Sequence, residues 1–188
     1  MSNTSLRLPS FAKLNWSLQI LGLRHDGYHE IVTLLQTVSL CDELTFELRD
    51  DSQIILHCDD PSIPTDDTNL IVKAALALRK RLGSSSGAEI TLTKKIPAQG
   101  GLGGASSNAA VTLLALNALW RADLTPGQLK LIGRSLGSDV PFFFAGGRCI
   151  AIGTGTTVKA LDDPPVKRLI IVTPNPKVSA ANAYATLN

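Results

Sequence analysis

Residues 97–110, PAQGGLGGASSNAA, contain four glycines, two serines and one asparagine, and no charged side chain. Such a stretch has two interpretations. Gly/Ser-rich segments form flexible linkers between domains. Alternatively, a loop with almost no side chains lets its backbone N–H groups approach a phosphate, which the positive N-terminal end of a following helix also attracts.

The segments on either side of this glycine loop favour phosphate binding. Residues 88–97 alternate between apolar and polar side chains, as in a strand, and residues 106–120 form an Ala/Leu-rich run that predicts a buried helix. A linker would separate self-contained units, whereas this loop joins a strand directly to a buried helix. The spacing matches neither a Walker A loop nor a complete GxGxxG motif.

The small residues of the loop then have separate expected roles. We predict that four positions allow positive φ and a close approach to a ligand: Gly100, Gly101, Gly103 and Gly104. We predict that three polar residues cap the helix and contact phosphate or a metal-bound water: Ser106, Ser107 and Asn108.

The remaining pattern indicates strands followed by helices. Helices are predicted at residues 69–83, which end at Gly83, and at 124–137, where Thr125 is the expected N-cap, Pro126 follows it and Gly137 ends the helix. Further strands are predicted at residues 12–22, 42–50, 52–58, 148–155 and 167–174, with a charged turn between the second and third.

Composition excludes several classes of protein. The 188 residues are 44% hydrophobic, enough for a substantial core. A net charge of +2 with scattered basic residues argues against a nucleic-acid partner. Cys41, Cys58 and Cys149 are odd in number and, like the three histidines, lack metal-ligand spacing, so we expect no protein metal cluster and a reducing cytoplasm. No apolar run approaches the ~20 residues of a membrane span.

Four stretches together resemble one family. Residues 97–110 resemble the phosphate loop of the GHMP kinases, and the similarity extends to residues 9–31, 136–147 and 173–184 in the same order, including the motifs AKLN, DGYHE and GSDVPFF. The resemblance implies an α+β fold. Residues 1–163 would form an N-terminal ATP-binding domain like the second domain of ribosomal protein S5, and 164–188 the start of an incomplete C-terminal domain.

The resemblance also implies an activity. It is the transfer of the γ-phosphate of ATP, with Mg²⁺, to the 2-hydroxyl of a cytidine-diphosphate-linked methylerythritol in non-mevalonate isoprenoid synthesis. Lys13 and Asp139 match the family's catalytic pair. Asp139 would accept the hydroxyl proton, and Lys13 would keep that aspartate ionised and offset charge on the moving phosphate. The protein is expected to act on a small molecule as a monomer or weak homodimer.

The resemblance also implies which residues bind ATP and the substrate, by their positions in the matching motifs. ATP would be bound by one continuous segment: Pro97, Ala98, Gln99, Gly100, Gly101, Leu102, Gly103, Gly104, Ala105, Ser106 and Ser107. The cytidyl substrate would be bound by Asn15, Tyr28, His29 and Tyr184, with the two tyrosines stacking on the base and His29 hydrogen-bonding it.

This sequence departs from the family pattern at three places. Ala105 replaces a third glycine, which costs roughly 1–2 kcal/mol if that position needs positive φ. Ala180 replaces a frequent threonine. The chain ends at Asn188, whereas family members continue to a second glycine-rich motif, so we expect an open edge beside residues 167–174, self-association and little kinase activity.

Two alternative functions stay open. One is a GHMP kinase for another small alcohol, such as homoserine or mevalonate, although these enzymes lack the DGYHE motif present at residues 26–30. The other is a non-catalytic fragment or scaffold, against which the intact Lys13 and Asp139 stand.

Overall fold

The computed structural model describes residues 5–166 and 168–173. Within these residues the order of elements is β1 (Ser5–Leu23), β2 (His29–Arg49), β3 (Ile54–Cys58), α1 (Leu70–Leu82), β4 (Gly87–Thr93), α2 (Gly104–Leu119), α3 (Pro126–Leu136), α4 (Phe142–Ala145), β5 (Arg148–Gly153) and β6 (Thr157–Leu161). The mixture of helices with a largely antiparallel sheet is the α+β class that was predicted. No helix in the described ranges is both long and apolar enough to cross a membrane.

The 21-residue strand β2 organises the sheet. β1 pairs antiparallel with it along nearly its whole length, from Ser5 opposite Glu47 to Leu23 opposite His29. The other edge of β2 is shared, because β5 pairs with residues 31–36 and β4 with residues 43–49. β3 adds to β4 in parallel, and β6 adds to β5. Among residues 5–166 and 168–173, no strand pairs with that edge of β2 between the two pairings, and the glycine loop follows β4 at this gap.

The main core lies between the sheet and the helices. α1 and α3 pack against α2, and α2 packs against β1 and β2. The fully buried side chains include Phe46 on β2 and Leu113 and Leu116 on α2. α2 is buried on most of its surface, as its apolar sequence predicts, and it therefore provides a rigid support directly behind the glycine loop.

The helix limits follow from capping residues, as predicted. Thr125 and Gln128 form a capping box at the start of α3, and Gly137 follows its last residue. Gly83 ends α1 with φ of 61°, a conformation that favours glycine. At the start of α1 the Asn69 side chain accepts a hydrogen bond from the backbone N–H of Ile71.

Three strand predictions need correction. β2 begins at His29, well before the predicted start at Asp42, because residues 31–35 have little alternation and hide the strand period. β2 and β3 are consecutive but not neighbours, since β4 lies between them. The strand predicted at 167–174 is absent from residues 168–173, and β6, which was not predicted, pairs with β5 instead. The domain boundary expected after residue 163 stays a prediction.

A surface ion pair at the end of β2 makes stability depend on pH. The Arg49 guanidinium donates from Nε and Nη2 to both carboxylate oxygens of Asp51, at 2.8 and 2.6 Å, and from Nη1 to Glu89. The hydrogen bonds that Asp51 accepts from Arg49 and from the Gln53 N–H lower its pKa to about 2. Because the pKa in the folded state is below the unfolded value of ~3.9, the carboxylate stabilises the fold at neutral pH and loses this contribution as pH falls from about 5 to 2.

We predict that Asp51→Asn lowers the urea midpoint at pH 7 and that the difference from wild type shrinks towards zero near pH 2. Urea unfolding at a series of pH values measures this. Asp50→Asn, at the exposed neighbouring carboxylate, is the control and should leave the profile unchanged. A difference for Asp51→Asn that does not vary with pH would contradict the assignment.

Candidate active site

Lys13 and Asp139 lie next to each other. Lys13 is on β1, its side chain is only 7% exposed, and its Nζ lies 3.4 Å from Oδ2 of Asp139. Asp139 belongs to the turn between α3 and α4 and keeps 40% of its side chain exposed. A buried ammonium is tolerated only with charged or hydrogen-bonding partners. The structure thus brings together two residues that are 126 positions apart in the sequence.

Asn15 completes this arrangement. Its Oδ1 accepts a hydrogen bond of 2.6 Å from Lys13 Nζ, and its Nδ2 donates to Thr33 Oγ1 at 2.7 Å. The Thr33 hydroxyl in turn donates to the carbonyl of Ser17. These bonds fix which end of the amide faces Lys13. Sequence reasoning missed Thr33; a hydroxyl within the apolar run at residues 31–35 was the available signal.

A cleft of about 440 Å³ lies beside the glycine loop. Its lining comes from the loop, from the segment between β3 and α1, from the end of β4 and from α2: Pro97, Ala98, Gln99, Gly100, Gly101, Leu102, Gly103, Gly104, Ala105, Ser106, Ser62, Ile63, Pro64, Asn69, Leu92, Lys94 and Asn108. Ser107 is absent from this lining, because it is buried and its Oγ accepts a hydrogen bond of 2.7 Å from Ser10. The other ten residues expected to bind ATP all line the cleft.

The loop backbone agrees only partly with prediction. Gly101 and Gly103 have φ of 71° and 72°, whereas Gly100 and Gly104 do not adopt positive φ and Gln99 does, at 59°. Ala105 lies inside α2 and carries no left-handed strain.

The prediction that Ser106, Ser107 and Asn108 cap the helix is wrong. The N-cap of α2 is Gly103, which has no side chain that could accept a hydrogen bond from the helix. The three polar residues lie within the first turns. Because no side chain caps α2, its first N–H groups are available to an anion in the cleft.

Gly103 separates the cleft from the Lys13–Asp139 pair. A Cβ on Gly103 would lie 2.8 Å from Cζ of Phe143 and 2.9 Å from Cγ of Lys13. The backbone N–H of Lys13 also donates to the carbonyl of Leu102. Since Gly103 lines the cleft as well, this one residue contacts both the cleft and the side chain of Lys13.

Tyr28 and His29 lie at the far end of the β1–β2 hairpin. The tip is held by Arg24, whose guanidinium pairs with Asp26 at 3.1 Å and with Glu30 at 2.6 Å. The hydrogen bonds that Asp26 accepts from Arg24 and from the Tyr28 N–H lower its pKa. Tyr28 follows Asp26-Gly27 in this turn and is 65% exposed.

In the part of the chain that the structure describes, the polar partners of Lys13 outside the β1–β2 ladder are Asn15, Asp139 and the Leu102 carbonyl, none of which belongs to the hairpin tip. A straight strand would span ~33 Å over the ten residues from Lys13 to Leu23. Register shifts between Asn15 and Ser17 and between Ile20 and Gly22 interrupt this length, and such bulges bend a strand. The fourth predicted substrate residue, Tyr184, lies outside the described residues, as does Ala180.

Few groups in the cleft suit a metal ion. Within residues 5–166 and 168–173 no cluster of three or more His, Cys, Asp or Glu side chains could hold one. Side-chain oxygens in the lining belong to Ser62, Asn69, Gln99, Ser106 and Asn108, and Oδ1 of Asn108 is a buried atom with no hydrogen-bond partner among the described residues. Mg²⁺ commonly binds proteins through few side chains, together with substrate phosphates and water, so these groups fit an ion that arrives with a nucleotide.

Comparisons with known proteins agree with this geometry. Residues 69–147 match the family model described as GHMP kinases N terminal domain. A solved structure of homoserine kinase from Cytophaga hutchinsonii has the same fold, with 20% identity, a TM-score of 0.67, and coverage of 98% of this chain and 60% of that one. Residues 69–147 therefore contain the GHMP kinase N-terminal domain.

More similar relatives share one name. The 4-diphosphocytidyl-2-C-methyl-D-erythritol kinase of Pseudomonas syringae pv. syringae (strain B728a) is 45% identical over 185 residues, 98% of this chain and 65% of the relative. That of Shewanella loihica is 43% identical, covering 97% of this chain and 64% of the relative. A crystal structure of 4-(cytidine 5'-diphospho)-2C-methyl-D-erythritol kinase has 40% identity and a TM-score of 0.73, covering 86% of this chain and 57% of that one. The chain thus spans about two thirds or less of these proteins.

The close contacts of Gly103 give a testable expectation. We predict that Gly103→Ala lowers the free energy of unfolding by roughly 2–5 kcal/mol, because left-handed backbone costs about 1–2 and overpacking about 1–3. Gly101→Ala is the matched control, since Gly101 has the same φ but nothing within 4 Å of its missing Cβ. It should cost only about 1–2 kcal/mol. Equal losses in chemical denaturation would contradict the close packing at Gly103.

Proposed function

We propose that this chain forms the ATP-binding and catalytic part of a kinase that phosphorylates the 2-hydroxyl of 4-diphosphocytidyl-2-C-methyl-D-erythritol. The observation that carries the proposal is the Lys13–Asp139 pair, whose lysine side chain contacts Gly103 of the glycine-loop cleft. The names of the relatives at 43–45% identity support this substrate. Cytoplasmic location and a monomeric or weakly dimeric state stay predictions.

Phosphate binding would come from the backbone of the loop and from α2. Gly101 and Gly103 turn the chain with positive φ, and the uncapped start of α2 offers N–H donors and the positive end of its dipole. An anionic triphosphate with its γ end towards Gly103 would have its reacting phosphate near Lys13. Phosphoryl transfer depends mainly on such positioning and charge stabilisation.

The ion pair supplies the acid–base chemistry. Asp139 is partly exposed, so its carboxylate can accept the proton of an incoming hydroxyl. Lys13 is held by Asn15 and faces Asp139, which keeps its ammonium in place to stabilise negative charge as the phosphate moves. Mg²⁺ bound with ATP would neutralise phosphate charge, and the Ser106 hydroxyl, whose residue lines the cleft, would be available to its hydration shell.

We predict that Asp139→Asn lowers kcat by ~10²-fold or more and leaves ATP affinity nearly unchanged. The assay uses a hybrid in which this chain replaces the matched part of the Pseudomonas syringae relative, so that the remainder of that relative is present. The control is Asp123→Asn, at an exposed carboxylate that precedes α3. Near-normal turnover of Asp139→Asn would make Asp139 a structural residue only.

The hairpin tip would recognise the cytidyl group. We predict that Tyr28→Ala weakens binding of the cytidyl substrate by ~10-fold or more, because stacking on a base contributes about 1–3 kcal/mol, and that it leaves ATP affinity intact. Tyr28→Phe keeps the ring and should retain most affinity. Equal losses of ATP and substrate binding would show that Tyr28 only supports the fold.

Another small alcohol is the second candidate substrate. The solved homoserine kinase and mevalonate kinase structures share the fold at 16–20% identity, which carries no information on substrate. Phosphate transfer by the hybrid to the cytidyl-linked methylerythritol, homoserine and mevalonate, measured side by side, separates the candidates. Turnover with homoserine or mevalonate but not with the cytidyl substrate would overturn the proposed function.

A further inference from the structure

Asp42 is a completely buried carboxylate beside the nucleotide cleft, and the chemistry proposed above does not use it. It lies on β2 in the gap between the pairings with β4 and β5, next to Glu43, which forms the last ladder pair with Thr93. At this point β4 ends and the chain continues into the glycine loop. Sequence reasoning gave Asp42 no role beyond starting a strand.

Four donors from two segments converge on this carboxylate. Oδ1 accepts the backbone N–H groups of Lys95 and Ile96, each at 2.8 Å. Oδ2 accepts from the Lys94 ammonium at 2.5 Å and from Nδ2 of Asn108 at 3.1 Å. Both oxygens are therefore used twice, as a buried ionised carboxylate requires.

These donors are themselves parts of the cleft or lead directly into it. Ile96 immediately precedes Pro97, the first residue of the loop, and Lys94 and Asn108 line the cleft. The Asn108 amide donates from Nδ2 to Asp42, so its orientation is fixed with Oδ1 on the other side. No partner of Oδ1 is found among the described residues. One carboxylate thus fixes the start of the loop, the ammonium in the cleft wall and the orientation of an amide on α2.

We propose that Asp42 is a positioning residue for nucleotide binding, which holds the glycine loop and α2 in their binding geometry before the nucleotide arrives. It acts through Lys94, Asn108 and the backbone at 95–96, without touching the nucleotide. The inference rests on the proposed ATP site. Pre-organisation of this kind raises affinity because the loop need not be ordered on binding.

Asp42→Asn tests the idea sharply. An amide keeps the shape of the carboxylate but has one oxygen, so whichever way it rotates its NH₂ group faces either the two backbone donors or Lys94 and Asn108. We expect the affinity for a non-hydrolysable ATP analogue with Mg²⁺ to fall by roughly tenfold or more, measured calorimetrically well below the melting temperature of the variant. Hydrogen exchange should accelerate at residues 94–108 and not in β1 or β5.

Glu43→Gln is the matched control. It neutralises the adjacent carboxylate on the same strand, which pairs with Arg7 at the surface, and should change neither affinity nor exchange in the loop. A merely structural role for Asp42 predicts a lower melting temperature with unchanged affinity of the folded protein and a uniform rise in exchange. That outcome would overturn the inference.

A measurement on the unsubstituted chain covers the case in which Asp42→Asn does not fold. The amides of Lys95 and Ile96 should exchange as slowly as those of β4 in the absence of nucleotide, although they lie beyond the last ladder pair. Fast exchange at both would overturn the inference. Failure of the unsubstituted chain to bind the ATP analogue would instead contradict the proposed function, and the exchange result would still decide whether Asp42 holds the loop.

Discussion

The structure around the candidate site depends on the missing side chain of Gly103. The stem of Lys13 and the ring of Phe143 both approach to within 3 Å of the point where a Cβ would lie. The same residue has φ of 72° and is the N-cap of α2. Only glycine meets both conditions without strain, because any other residue would need left-handed backbone and extra space together. Gly103 therefore determines both where the Lys13 side chain can lie and where α2 begins.

The long strand β2 explains why distant residues meet at this position. Lys13 on β1 pairs with Thr37 of β2, at one end of the gap that β4 and β5 leave on the opposite edge. Asp42 marks the other end of that gap, and the glycine loop passes beside it. The chain that leads into the loop can leave the sheet here because the Asp42 carboxylate accepts the backbone N–H groups of Lys95 and Ile96, which a neighbouring strand would otherwise have to pair.

Local signals predicted the helices well and the site only in part. Thr125, Gly83 and Gly137 mark helix ends through capping, which acts within one turn and can be read from sequence. The position of the glycine loop between β4 and a buried helix followed from periodicity. The proximity of Lys13 to Asp139 did not, because it depends on how β1 crosses the sheet; only the family resemblance suggested it.

The errors also have physical causes. The serines after the loop look like N-caps, but the helix already begins at Gly104, since a left-handed glycine can start a helix without a side-chain cap. The role of Asp42 was hidden because its partners come from residues more than fifty positions away. No signal in the sequence pointed to it, because β2 also carries Glu43, Glu47 and Arg49, and only the fold decides that Asp42 is the charge that is buried and must have partners.

The short helix α4 links the two sides of the candidate site. The carbonyl of Asp139 accepts a hydrogen bond from the N–H of Phe142, and the next residue, Phe143, packs against Gly103. Phe142 is fully buried and meets the Phe143 ring edge-on at a centroid distance of 5.0 Å, so α4 has little freedom to shift. If the main chain at Asp139 moved together with its carboxylate, Phe143 would be pressed against Gly103. Asp139 and the glycine loop are therefore connected through one continuous set of contacts in α4.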